Sequence, residues 1–153
     1  MTFIPRKSSR RRPVAPLVTL AAVVLLTFRT LQVGSYATVT PPAPKLTVVR
    51  DAATLRSLWH GETPPSIDFE KDFVVFLFAG QKNTGGWSIE VRRVSTKGKF
   101  AIVDAHVQGP PRGGMVTQAL TSPYAAIAFP KSSATRVRWV DGMRVVDEEK
   151  APK

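Results

Sequence analysis

The feature that most constrains the fold is the continuous apolar run FVVFLFA at residues 73–79. A run of this length is short for a helix and lacks any polar alternation, which is typical of a strand buried on both faces. The segment WSIEVRRV at residues 87–94 alternates instead, with Trp87, Ile89 and Val91 on one side and polar residues on the other. The two patterns predict a buried central strand followed by a strand with one solvated face.

The rest of the chain beyond residue 45 favours further strands and a single short helix. Strand-forming runs, separated by turns rich in Gly, Pro and Ser, lie at residues 46–50, 100–108, 123–130 and 135–142. Asp51 is a good N-cap, Leu55, Leu58 and Trp59 share one helical face, and Gly61 supplies a stop. We therefore predict a mainly β fold, a small β-sandwich or barrel-like domain with one short helix, in which Trp59 covers a sheet.

The N-terminus has the pattern of an export or anchoring signal. The basic head RKSSRRRP precedes a stretch without charge from Val14 to Phe28, so the head would stay in the cytoplasm while the apolar segment enters the bilayer. Residues 14–34 are long enough to remain as a membrane anchor, whereas Ser35-Tyr36-Ala37 offers a cleavage site for a signal peptidase. Both interpretations stay open, and both place the protein in the cell envelope or outside the cell.

Composition indicates where the segments of the chain meet. We predict that residues 1–37 are the basic head plus signal peptide or anchor, and that the proline-rich residues 38–45 form an extended linker. The β-domain then spans residues 46–146. Residues 147–153 are predicted to be a charged, flexible tail.

The formal net charge of +11 suggests nucleic-acid binding until its distribution is considered. Six of the 22 basic residues precede Tyr36 and all 11 acidic residues follow it, which leaves +5 for the remainder of the chain. There the basic residues are scattered among acidic ones, as on a solvated surface. Nucleic acid is therefore not an expected partner.

Gly80 and Gly85 have the spacing of a phosphate-binding loop. Such a loop needs Lys and Ser or Thr directly after the second glycine and then a helix, whereas Gly86 and Trp87 stand there and a strand follows. The nucleotide interpretation fails on both grounds. Two others stay open: a tight hairpin in which the glycines serve turn geometry alone, and a loop whose backbone approaches a partner closely, with Trp87 as an anchor.

Two short motifs carry a resemblance to a known family. Thr84-Gly85-Gly86-Trp87 after a strand and Pro123-Tyr124 in a later β-segment resemble the hallmark of the PrcB C-terminal domain. The PrcB family comprises exported bacterial proteins named for a subunit that stabilises a surface protease complex. The resemblance covers residues 46–129, although the family more often has Tyr where Trp87 stands. It implies a β fold and a protein partner, with a protease as the model case.

These features together favour a non-enzymatic binding module, exported or membrane-tethered, that docks an envelope protease and stabilises or restrains it. The candidate partner-binding residues are Lys82, Asn83, Thr84, Gly85, Gly86, Trp87, Arg112, Pro123 and Tyr124. The alternative is a structural envelope component whose residual positive charge holds anionic lipid or cell-wall polymer. A membrane contact through residues 14–34 is expected if the leader is retained.

No catalytic, cofactor or metal site is predicted. His60 and His106 lack a metal-ligand spacing, there is no cysteine, and no Gly-x-Ser-x-Gly motif occurs. The acidic group Asp68, Glu70 and Asp72 lacks the pattern of a calcium loop and is interpreted as a solvated turn. A weak hydrolase ranks third among the functions considered.

Overall fold

The computed structural model describes Thr2, residues 14–16 and residues 20–153. The basic head of the predicted export signal lies outside these residues. The elements are β1 (Val23–Leu26), β2 (Arg29–Gly34), β3 (Lys45–Val49), α1 (Ala52–Leu58), β4 (Asp72–Phe78), β5 (Ser88–Lys97), β6 (Phe100–Gln108), β7 (Tyr124–Pro130), β8 (Arg136–Asp141) and β9 (Arg144–Lys150).

The strands form two sheets that pack face to face. The five-stranded sheet has the order β1-β5-β6-β8-β9, and the four-stranded sheet has the order β2-β7-β4-β3. Neighbouring strands are antiparallel except for β6 and β8, which run parallel. Buried side chains from both sheets, such as Phe73, Ile127 and Trp139, share one core. The predicted mainly β sandwich with one short helix is confirmed.

β4 is the central strand that the apolar run predicts. Phe73, Val75 and Leu77 face the core between the sheets. The alternate side chains Val74 and Phe76, with Phe78, face the outer surface of the four-stranded sheet. All six are at most 3% exposed, so the strand is buried on both faces.

The outer surface of the four-stranded sheet is covered by α1 and the chain that follows it. The carboxylate of Asp51 accepts a hydrogen bond from the Thr54 N–H at 2.7 Å, which caps the helix as predicted. Leu55 is buried, and Leu58 and Trp59 pack against the aromatic residues of the sheet. Trp59 therefore covers a sheet, as expected.

A β-bulge shifts the alternation predicted for residues 87–94. The pairing of β5 with β6 changes register between Val91 and Arg93. Ile89 and Val94 are consequently both buried, although five positions separate them along the strand. The bulge explains how β5 keeps an apolar face towards the core over its whole length.

The β-structure begins earlier and ends later than the domain predicted at residues 46–146. β1 pairs with β5 and β2 pairs with β7, so residues 23–26 and 29–34, predicted as part of the leader, are strands here. A short apolar run such as VVLLTF fits a strand as well as a membrane helix, and its periodicity does not separate the two. Among the residues described, no helix is both long enough and apolar enough to cross a bilayer.

The predicted flexible tail is also part of a sheet. β9 continues to Lys150. The carboxylates of Asp147 and Glu149 accept hydrogen bonds from the backbone N–H groups of Leu46 and Val48 at 2.8 and 2.9 Å. Acidic side chains in the sequence DEEK indicated a solvated tail, but two of them are used to join β9 to β3 across the edge of the sandwich.

Candidate partner-binding surface

The loop from Gly80 to Gly86 connects the two sheets. It follows β4 of the four-stranded sheet and precedes β5 of the five-stranded sheet. The two strands do not pair with each other: β4 lies between β3 and β7, and β5 lies between β1 and β6. The hairpin interpretation of this loop is therefore wrong, because hairpin strands are hydrogen-bonded neighbours.

A second loop holds the first in place. Lys82 and Thr121 exchange backbone hydrogen bonds of 2.7 and 2.9 Å, and the Gly85 N–H donates to the Thr117 carbonyl at 2.9 Å. The Thr121 hydroxyl donates to the Thr84 carbonyl at 2.8 Å. Residues 80–87 and 109–121 thus form one unit at this end of the sandwich, here termed the paired loops.

Gly85 and Gly86 allow the close contact between the paired loops. A Cβ atom at Gly85 would lie 2.3 Å from Thr117 Oγ1, and one at Gly86 would lie 2.8 Å from Pro110 Cβ. Gly86 also has a φ of +82°, in the left-handed region that favours glycine. The close backbone approach that the glycines permit is therefore made by the neighbouring loop of the same chain.

Trp87 is fixed at the base of the paired loops. Its indole N–H donates to Thr84 Oγ1 at 3.2 Å, and the Lys82 ammonium lies 4.7 Å from the ring centroid. A Cβ atom at Gly109 would lie 3.1 Å from the ring, so this glycine also makes room for the indole. The ring is half-buried and held from several sides, which suits a rigid anchor.

Pro123 and Tyr124 lie inside the fold. Tyr124 is 2% exposed and stacks on Phe76 with 6.4 Å between ring centroids. Burial raises the pKa of its phenol above the usual value of 10.0. The carbonyl of the buried Pro123 accepts a hydrogen bond from the Ala79 N–H at 2.9 Å. These two residues lie in the core beneath the paired loops. Because both are buried, neither side chain is accessible to a partner in this fold.

The accessible side chains of the paired loops are a mixed polar and apolar set. Asn83 and Arg112 are exposed and Lys82 is half-buried. Met115 and Leu120, which the sequence motifs did not single out, are 101% and 62% exposed. Each has an apolar neighbour in sequence, Val116 or Ala119, so only the folded structure shows which of these side chains faces solvent. These five side chains are termed the loop surface.

The acidic group at residues 68–72 forms an exposed turn that leads into β4. The Asp68 carboxylate accepts from the Glu70 N–H at 3.0 Å and lies 3.3 Å from the Lys71 ammonium. Both contacts lower the pKa of Asp68, with the Glu70 hydrogen bond as the larger cause. Asp72 pairs with Arg29 at 2.8 Å. The interpretation as a solvated turn is confirmed for Asp68 and Glu70, whereas Asp72 is the first residue of β4 and is only partly exposed.

The two histidines do not form a metal centre in the part of the chain that the structure describes. His106 on β6 contacts the Asp141 carboxylate oxygens through Nδ1 at 2.9 and 3.0 Å. His60 lies after α1 and its backbone contacts the side chain of Gln32. Within the described residues, no three His, Asp or Glu side chains are grouped so as to hold a metal ion.

Comparison with models of known protein families gives a match within this chain. Residues 73–130 match the family model of the PrcB C-terminal domain, from the start of β4 to the end of β7, so the match includes the paired loops. The matched family is not known as catalytic. Comparisons with curated proteins and with solved structures gave no match. Residues 73–130 are therefore similar to the PrcB C-terminal domain.

Proposed function

We propose that the protein is a non-enzymatic binding module whose loop surface docks a protein partner. The observation that carries the proposal is the exposure of Met115 and Leu120, which share with Arg112 a loop tied by backbone hydrogen bonds to the loop before β5. Preorganised loops lose little conformational entropy on binding. Apolar side chains with an adjacent arginine are also the kind of anchor that dominates many protein interfaces.

We further propose that the partner is an envelope protease, which the protein stabilises or restrains. The family match supports this choice, because the PrcB resemblance implies exported proteins named for a subunit of a surface protease complex. The predicted export signal supports it as well. Binding through the loop surface would leave the rest of the sandwich free to act as a rigid support.

The proposal is tested by affinity capture of the tagged full-length protein from its own cell envelope, with mass spectrometry of the bound proteins. The loop variant carries Arg112→Ala and Met115→Ala, and the control carries Met143→Ala and Arg144→Ala in the turn between β8 and β9. All four side chains are exposed, so folding should be retained. We expect wild type and control to retain the partner and the loop variant to lose it by about tenfold or more.

Equal retention by the loop variant and wild type would refute the assignment of the loop surface. Capture of a peptidase would support the proposed partner class, and capture of only other proteins would contradict it. Gly85→Ala and Gly86→Ala are unsuitable for this purpose, because both Cβ atoms collide with the neighbouring loop. Their effect would report on packing within the chain.

A further inference from the structure

A basic cleft lies at the end of the sandwich opposite the paired loops. β4 begins at this end with Asp72 and ends at the other with Phe78, two residues before Gly80. The cleft is lined by Phe73, by the turn between β5 and β6, by the connection from β7 to β8 and by the end of β9. Its volume of about 590 Å³ falls in the range of small-molecule sites, roughly 300–1,000 Å³.

The charge of this cleft is one-sided. Five of its twelve lining residues are Lys or Arg, and none is Asp or Glu. Arg136 pairs with Glu148, but Lys99, Lys131 and Lys150 take part in none of the ion pairs formed among the residues described. Lysines that line one cleft without a carboxylate side chain make it electropositive, and a bound anion would be attracted there.

One aromatic ring, that of Phe73, and several hydroxyl groups complete the cleft. The Lys131 ammonium lies 5.7 Å from the ring centroid of Phe73, and the Lys99 ammonium lies 5.5 Å from that of Phe100, which lies next to Lys99 but outside the lining. These contacts position the ammonium groups without neutralising them. Hydroxyl donors come from Ser132, Ser133 and Thr135, which also line the cleft. Lysine ammonium groups with Ser and Thr hydroxyls are the donors that bind phosphate oxygens in proteins.

We propose that this cleft binds a phosphate-bearing anion, either a small organic phosphate in solution or the phosphate headgroup of a lipid. The mixture of apolar floor and cationic rim suits a phosphate joined to a compact organic group. The proposal does not rest on the protein partner, because the cleft and the loop surface share no residue. It gives part of the excess positive charge of the folded domain a defined location.

The test follows amide NMR shifts of the full-length protein during titration with inorganic phosphate and with glycerol 3-phosphate. The cleft variant carries Lys131→Gln and Lys150→Gln. The control carries Lys45→Gln and Arg144→Gln, which remove the same charge at exposed positions near the other end. We expect saturable shifts at residues 131–136 and 150–152 in wild type and control. Affinity should fall about tenfold or more in the cleft variant.

Equal weakening in both variants would indicate general electrostatic attraction and overturn the proposal, as would the absence of saturable shifts in this cleft with both probes. Co-sedimentation with phosphatidylglycerol vesicles, against phosphatidylcholine vesicles, then assigns the source of the phosphate. Vesicle binding that only the cleft variant loses supports a lipid headgroup. Unchanged vesicle binding together with weakened binding of glycerol 3-phosphate supports a soluble ligand.

Discussion

The residues of the motif Thr84-Gly85-Gly86-Trp87 have separate physical roles, and all of them serve the contact between the paired loops. The Thr84 carbonyl and hydroxyl oxygens accept hydrogen bonds from Thr121 and from the Trp87 indole. Gly85 leaves space for Thr117, and Gly86 combines close packing with a left-handed backbone. The motif therefore encodes how one loop packs on another, and the partner-binding role proposed for this region belongs to side chains that the motif does not include.

Gly86→Ala is predicted to destabilise the protein more than Gly113→Ala. Both glycines have a positive φ, +82° and +75°, so both substitutions incur the left-handed penalty of about 1–2 kcal/mol. Only the Cβ atom at Gly86 meets a close neighbour, Pro110 Cβ at 2.8 Å, which adds about 1–3 kcal/mol of overpacking. Urea unfolding followed by tryptophan fluorescence measures both changes. Equal losses would mean that the two loops separate freely to admit a methyl group.

At the scale of elements, the sequence predicted those features whose cause is local. The continuous apolar run identified β4, and Asp51 with the apolar face of Leu55 and Trp59 identified α1. Pairing over long sequence separations was not predictable in this way. The bulge in β5 depends on its fit to β6, and the strand character of residues 23–34 depends on β5 and β7, which lie far along the chain.

The candidate sites likewise include residues that the sequence identified and residues that only the fold identified. The glycines and Trp87 were visible as a motif, whereas the exposure of Met115 and Leu120 became clear only in the fold. The basic cleft was not visible at all, because Lys99, Lys131 and Lys150 are distant in sequence and resemble scattered surface charges. Only the sandwich topology brings the turn after β5 together with the ends of β7 and β9.

The pairing of β8 with β9 is predicted to weaken in acid. A hydrogen bond from Arg138, with a further one from Arg136, lowers the pKa of Glu148 below its usual value of 4.5. A carboxyl whose pKa is lower in the folded state stabilises the protein above pH 4.5, and this stabilisation is lost as the pH falls through the folded pKa. Asp51 and Asp68 act in the same direction.

Glu148→Gln should therefore make the free energy of unfolding less dependent on pH below about 4.5 than in wild type. The matched control is Glu62→Gln, which alters an exposed residue outside the ion pairs of the described chain. The measurement is urea unfolding between about pH 3 and pH 7, a range that spans the usual carboxyl pKa values. An unchanged slope in Glu148→Gln would show that the two arginines do not stabilise the folded state through this carboxylate.

At the scale of the whole molecule, β1 and β2 extend both sheets at the same side of the sandwich. The chain passes from β1 in the five-stranded sheet to β2 in the four-stranded sheet within residues 27–28. Leu26 and Phe28 pack against the core, and Leu31 packs against the outer aromatic cluster. Cleavage near Ala37, as the predicted signal peptide requires, would remove both β1 and β2, and with them one outer strand of each sheet.

A chain that begins at residue 38 is predicted to be much less stable than one that begins at residue 21, which keeps β1 and β2. Removal of β2 leaves one edge of β7 unpaired and exposes the ring of Tyr124, against which Gly34 packs. Loss of these contacts is expected to cost roughly 3 kcal/mol or more. Thermal unfolding by circular dichroism compares the two. Equal melting temperatures would make β1 and β2 dispensable and favour cleavage of the leader.

The hydrogen bonds from Leu46 and Val48 to the carboxylates of β9 have a consequence for solubility. β3 is the outermost strand of its sheet, and its free N–H groups would otherwise invite a strand from another molecule. Asp147 and Glu149 occupy two of these donors and surround them with negative charge. The two side chains thus block two of the backbone donors that an added strand would need, which opposes edge-to-edge aggregation through β3.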